Sequence, residues 1–118
     1  MIVGEVNAEG VPILRLRLAG AEWLAIVDTG FNGDLELPLG LRTFVDTRFI
    51  CRIRSSLAGG QMIEEDSYLV DFPFDGQTVR AEATFVSGRE VLIGTHLLRE
   101  HRLEIDFTQR TMLLARVD

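Results

Sequence analysis

The chain has 118 residues, a formal net charge of −6, one cysteine and 47% hydrophobic residues. This length predicts one domain, residues 1–118, which can bury a core without disulfides, and a single cysteine excludes a multi-cysteine zinc site. The acidic balance argues against nucleic-acid binding, and no apolar run approaches the roughly 20 residues of a membrane span. Residues 1–6 show no signal-peptide pattern, so we expect a cytoplasmic protein without a membrane partner.

The first half of the chain reads as strands separated by glycine-bearing turns. Apolar residues alternate with arginines from Pro12 to Leu18, which is typical of a half-buried strand. A second apolar strand, Trp23 to Val27, follows a short turn, so the two predict a hairpin. Phe49 to Arg54 alternates again, and this pattern places Cys51 in the core. In the segment between the second strand and Phe49, Pro38 and Gly40 indicate turns with one helical turn at most.

The second half predicts two hairpins, a short buried strand and the only clear helix. Asp75-Gly76 is a strong hairpin signal, and Thr95 can cap a helix that presents Leu97, Leu98 and His101. The sequence therefore predicts an all-β domain with one short helix near its C-terminus. The remaining strands are predicted at Ile2–Val6, Ile63–Phe74, Thr78–Val86, Val91–Ile93, Leu103–Phe107 and Thr111–Val117.

The residues with the clearest chemical potential follow the second strand. Leu24 to Val27 runs directly into Asp28-Thr29-Gly30. Taken alone, this triplet is an ordinary turn, because Asp, Thr and Gly are common turn residues. A functional interpretation requires a second apolar segment ending in glycine far downstream, and Val91 to Thr95 supplies one.

With both segments in this order, the sequence resembles the single-domain, retropepsin-like aspartic proteases of clan AA, including their small bacterial members. The resemblance extends from the hairpin before Asp28 to Phe107 and implies a retropepsin-like acid protease barrel. It implies that Asp28 is the catalytic acid, that Thr29 braces the loop against a partner subunit, and that Gly30 lets backbone amides point at the carboxylate. Leu92-Ile93-Gly94 would support the catalytic loop.

The chemistry of this family requires two carboxylates, and the chain carries one Asp-Thr-Gly. The resemblance therefore implies a homodimeric aspartic endopeptidase in which each subunit contributes Asp28. Peptides or proteins are the expected substrates, and no metal or cofactor is required. His96 and His101 do not share one helix face, so they predict no metal site. The expected substrate-binding residues are Phe31, Ala58, Gly59, Gly60, Leu92 and Ile93.

The glycine-rich segment from Ser55 to Gly60 stands where the family has its flap. Its glycines would permit a hairpin tip that covers an extended peptide and excludes water. An ordinary glycine-containing turn is the alternative.

Two residues depart from the family pattern and leave the function open. Phe31 replaces the small residue that usually follows the triplet, and His96 replaces an Asp or Asn that makes a structural hydrogen bond. These changes favour an alternative, a non-catalytic peptide-binding or interaction module that retains the protease fold. A third possibility is an unrelated small β-barrel in which Asp28-Thr29-Gly30 is only a turn.

Overall fold

The computed structural model describes residues 1–42 and 47–117, which form ten strands and one short 3₁₀ turn at Leu39–Leu41. All ten described strands belong to one sheet, in the order β5-β6-β7-β4-β8-β3-β2-β1-β10-β9. Among the described residues, no helix has the length and apolar character that crossing a membrane requires. The strands are β1 Ile2–Val6, β2 Pro12–Leu18, β3 Ala21–Val27, β4 Leu35–Pro38, β5 Thr47–Ser56, β6 Met62–Phe74, β7 Gln77–Val86, β8 Val91–Ile93, β9 His101–Asp106 and β10 Thr111–Arg116.

Most strands pair with a sequence neighbour in antiparallel fashion, as their short turns require. The β6–β7 hairpin turns at Asp75 and Gly76, both at positive φ (52° and 76°), which confirms the turn signal. Two pairs are parallel: β3 with β8, and β4 with β7. These parallel pairs bring together segments that are distant in the chain, and the candidate site forms where they meet.

The core is built from side chains of many strands. Leu14, Leu37, Phe72, Ile93 and Leu114 come from five different strands and are almost completely buried. Alternation along β2 and β10 places every second side chain in this core, which is the physical basis of the strand prediction.

Strand β4 was not predicted. It has four residues, Leu-Glu-Leu-Pro, and its terminal Pro38 and the nearby Gly40 resemble turn signals. Its partners are distant in the chain: β8 pairs with it in antiparallel and β7 in parallel orientation. Such non-local pairing leaves no short-range signature in the sequence.

The expected helix after β8 is instead a series of turns. Hydrogen bonds join Leu98 N to Thr95 O (3.1 Å), Arg99 N to His96 O (3.4 Å) and His101 N to Leu98 O (2.8 Å), each spanning three residues. Only six residues lie between Gly94 and β9, and so short a helix is marginal because few hydrogen bonds offset the cost of its first turn. Burial of the adjacent Leu97 and Leu98 stabilises the turns.

The terminal strands β1 and β10 do not lie at the edges of the sheet. β1 lies between β2 and β10, and β10 lies between β1 and β9. Within the described residues, the outer strands of the sheet are β5 and β9.

Cys51 was also misplaced, because the structure exposes its side chain. The β5–β6 register shifts between Phe49 and Cys51, which is the signature of a β-bulge. A bulge interrupts the two-residue alternation on which the burial of Cys51 was inferred.

Candidate active site

The loop that carries Asp28 begins where β3 ends. Val27 is the last β3 residue paired with β8, opposite Ile93. The Asp28 amide continues this ladder and donates to the Ile93 carbonyl at 3.0 Å. β3, in which Ala25 and Val27 are buried, therefore holds the half-buried Asp28 at the end of the sheet in a defined direction.

The Asp28 carboxylate is held by the turn that follows it. The Gly30 amide donates to Oδ1 at 2.9 Å, and the Phe31 amide donates to the Asp28 carbonyl at 3.1 Å. A Cβ on Gly30 would lie 3.3 Å from Oδ1, tighter than ordinary contact. The amide thus points at the carboxylate, as the resemblance implied, while Thr29 projects into solvent.

The loop is interlocked with the segment after β8. Three amides of that segment donate to loop carbonyls: Gly94 N to Asp34 O (3.0 Å), Thr95 N to Phe31 O (2.8 Å) and His96 N to Gly33 O (3.2 Å). Gly94 is required by space, because a Cβ there would lie 2.2 Å from the Gly33 carbonyl oxygen. Two segments about 60 residues apart are therefore fixed against each other.

Asp34 was missed by sequence reasoning and ties the loop to a third element. Its side chain is only 7% exposed, and its Oδ2 accepts the Glu82 amide of β7 at 2.9 Å. Its Oδ1 lies 2.5 Å from Nδ1 of His96, where an imidazole N–H donates to the carboxylate. His96 therefore makes a structural contact at the position where its identity had raised doubt. The family pattern expects a structural hydrogen bond from the residue two positions after Gly94, and this was the only sequence signal that pointed to a partner such as Asp34.

The loop forms one wall of a cleft of about 580 Å³. Five predicted site residues line it: Asp28, Gly30, Phe31, Ala58 and Leu92. The hairpin joining β5 and β6 forms the opposite wall, and its turn closes through Leu57 N to Gln61 O at 2.7 Å.

Four other predicted site residues lie elsewhere. Ile93 is completely buried in the core, so its side chain cannot reach a bound peptide in this structure. Gly59 and Gly60 occupy the exposed hairpin tip, and Thr29 is exposed beside Asp28.

Phe31 lines the cleft and also packs onto the loop. Its ring atoms lie 2.8 Å from where a Cβ on Gly33 would stand and 2.7 Å from one on Gly94. Both glycines therefore make room for the ring, and the half-buried Phe31 narrows the cleft beside Asp28.

The cleft is strongly acidic. Its described lining includes five carboxylates and no basic side chain. Burial, together with the Glu65 and Asp28 carboxylates, raises the pKa of Glu36 above its ordinary value. The cleft therefore disfavours additional negative charge. The five carboxylates belong to Asp28, Asp34, Glu36, Glu65 and Glu82.

Comparison with solved structures identifies the fold. A retropepsin-like aspartic protease from Rickettsia conorii superposes with a TM-score of 0.67 at 16% identity, over 96% of this chain and 88% of that chain. The chain has a retropepsin-like fold. EIAV protease, solved in complex with the inhibitor HBY-793, has a TM-score of 0.61 at 17% identity, over 79% of this chain and 89% of that chain.

No protein-family model and no curated protein sequence matches the chain. The backbone comparison thus confirms the retropepsin-like fold that the motifs around Asp28 and Gly94 predicted, although the overall identity is only 16–17%.

Proposed function

We propose that this chain, acting as a single domain, is an aspartic endopeptidase that hydrolyses peptide bonds as a homodimer. The observation that carries the proposal is the Asp28 carboxylate, oriented by the Gly30 amide at the wall of a cleft within a retropepsin-like fold. The two solved proteins of similar fold are both proteases by name, which supports the same reaction class here.

The dimer follows from the count of motifs. One Asp-Thr-Gly per chain supplies half of a two-carboxylate site, and a two-fold axis supplies the other half. Thr29 is exposed next to Asp28 and is therefore available to contact the opposite loop. In the proposed dimer, the two Asp28 carboxylates lie close enough to share one proton.

The reaction needs one ionised and one protonated Asp28 side chain. The ionised Asp28 removes a proton from water, whose oxygen attacks the peptide carbonyl carbon, while the protonated partner donates to the carbonyl oxygen. Collapse of the resulting intermediate breaks the C–N bond as a proton passes to nitrogen. The carboxyl group that took the proton from water supplies this proton, and a hydroxyl of the intermediate returns one proton to the pair. The products are a carboxylic acid and an amine, and the pair again carries a single proton.

The substrate would lie as an extended strand in the cleft, between Leu92 on the floor and Ala58 on the hairpin. Backbone hydrogen bonds from such a strand give affinity, and alternate side chains enter pockets. The hairpin must then open and close for peptide to enter.

Replacement of the proposed catalytic acid tests the function. Asp28→Asn should reduce cleavage of a peptide library by about 10³-fold or more, because an amide neither accepts nor shares the proton. Circular dichroism should show an intact fold. Asp71→Asn is the matched control, since Asp71 is an exposed carboxylate on β6 paired with Arg80 at 3.6 Å. Wild-type cleavage by folded Asp28→Asn protein would remove Asp28 from the mechanism.

A second candidate is a non-catalytic peptide-binding module with this fold. The position of Phe31 favours it, because the ring lines the cleft beside Asp28. A module of this kind would bind peptides without cleaving them at any pH. A coupled carboxylate pair instead predicts a bell-shaped pH profile of cleavage, with inhibition by a statine peptide and none by chelators or thiol reagents at the catalytic centre.

A further inference from the structure

The floor of the cleft contains one charged residue between uncharged neighbours. Glu36 of β4 pairs with Leu92 of β8 on one side and with Thr84 of β7 on the other. All three residues line the cleft. An acidic side chain therefore stands in the middle of a row that is otherwise free of charge.

The hairpin places a second acidic residue above this floor. Glu65 of β6 pairs with Ile53 of β5, and both line the cleft. The adjacent Glu64 belongs to the opposite face, where its Oε2 accepts from Arg52 Nε at 3.1 Å. Glu65 therefore lines the cleft whereas Glu64 does not. Glu65 also borders a second pocket with Arg42 and Arg52, but in the described part of the chain it forms no ion pair with either arginine.

The walls around these two carboxylates suit a long side chain with a charged end. Leu92 and Ile53 offer apolar surface beside Glu36 and Glu65, within a cleft that holds no cation from its described lining. The aliphatic stem of lysine or arginine packs on such surface while its head group reaches a carboxylate. Burial, followed by repulsion from the Glu65 and Asp28 carboxylates, raises the pKa of Glu36. A cationic head group bound between Glu36 and Glu65 would relieve that repulsion.

We propose that Glu36 and Glu65 form a subsite for a lysine or arginine side chain of the bound peptide, close to the bond that is cleaved. The carboxylates alone would not define a subsite; the enclosing cleft, its apolar stem-binding surface and its position beside Asp28 do. This inference rests on the proposed peptidase function, and it identifies basic peptide segments as the preferred substrate class.

The test uses the full chain and peptides that differ at one position. Each flanking position of a cleavable peptide carries arginine, lysine, citrulline, leucine or glutamate in turn. Citrulline has nearly the shape of arginine without its charge. At one position, the arginine peptide should exceed the citrulline peptide about tenfold in kcat/KM, with the glutamate peptide lowest. The preference should weaken as salt is added.

Variants of Glu36 and Glu65 test whether these two residues cause the preference for arginine over citrulline. Glu36→Gln should reduce the arginine-to-citrulline ratio to about threefold or less, and Glu65→Gln should act in the same direction. Glu64→Gln, one residue away on the opposite face, should leave the ratio unchanged. Glu36→Arg should shift preference toward the glutamate peptide, provided that thermal melting shows a folded protein.

Binding measurements separate this inference from the proposed reaction. The same peptides with a reduced, uncleavable bond are titrated by calorimetry. Equal kcat/KM for arginine and citrulline peptides at every position would overturn the subsite and leave the peptidase standing. If no peptide is cleaved, the proposed function fails; tighter binding of the arginine peptide would then still support the subsite, and equal binding would overturn it.

Discussion

The loop that carries Asp28 and the hairpin that covers it are stabilised in different ways. The loop is hydrogen-bonded to the segment around Gly94, and Asp34 inside it bonds to β7. The outer part of the hairpin is a two-stranded ribbon. Among the described strands, residues 62–67 of β6 pair only with β5, because the β6–β7 pairing begins at Tyr68, opposite Ala83. Its tip, Leu57 to Gly60, is exposed.

This difference matches two physical requirements of the proposed site. A reacting carboxylate must be held in one geometry, so it benefits from contacts with several remote segments. A cover must open to admit peptide, and a two-stranded ribbon has low local stability. Substitutions in the loop should therefore cost more than matched substitutions in the hairpin.

The largest expected effect concerns two glycines. Gly94→Ala places a methyl group 2.2 Å from the Gly33 carbonyl oxygen, whereas a Cβ on Gly59 meets nothing within 4 Å. We expect Gly94→Ala to lower the free energy of unfolding by about 3 kcal/mol. Gly59→Ala should change it by less than about 0.5 kcal/mol. Urea denaturation measures both, and equal stability of the two variants would contradict the interlocked loop.

A second comparison uses two aspartates. Asp34→Ala removes the acceptor of the Glu82 amide and the partner of His96, so it should destabilise the protein by about 2 kcal/mol. Asp66→Ala removes an exposed hairpin carboxylate 3.7 Å from Arg52 and should have little effect. Thermal melting at pH 7 gives the two values. If Asp34→Ala were as stable as the wild-type protein, the loop would not depend on this carboxylate.

The exposed side of the loop should affect association more than folding. Thr29→Val keeps the shape of the side chain and removes its hydroxyl. We expect the dimer dissociation constant to rise about fivefold, with activity per subunit falling in parallel on dilution. Thr78→Val, at an exposed position of β7, is the control. Analytical ultracentrifugation alongside the activity assay checks this, and a fully active wild-type monomer would exclude the shared site.

The smallest effect concerns charge in the cleft. Because the folded protein raises the pKa of Glu36, ionised Glu36 destabilises the fold, fully so above its folded pKa. Glu36→Gln should therefore stabilise the protein at neutral pH by less than about 1 kcal/mol, since solvent screens this half-exposed group. The gain in stability should vanish as the pH falls through the raised pKa of Glu36 in the folded protein to its pKa in the unfolded chain, about 4.3. Denaturation at several pH values tests this, and a gain independent of pH would contradict it.

Several features of the fold, and the position of Asp28 within it, were predictable because their signals are local. The apolar run before Asp28, the glycine after Thr29 and the Asp75-Gly76 turn each act within a few residues. Asp34 was not predictable in the same way. Its burial depends on β4, a strand that exists only because β7 and β8 pair with it.

The sequence by itself determined the all-β class, most strands and the placement of Asp28 directly after an apolar strand, because alternation and turn chemistry are short-range properties. Tertiary structure decided the rest: the burial of Asp34, the turns that replace the expected helix, the exposure of Cys51 at a bulge and the inner positions of β1 and β10. It also decided that Glu65 faces the cleft while Glu64 does not. These outcomes depend on pairings between distant segments and on register, which no local pattern specifies.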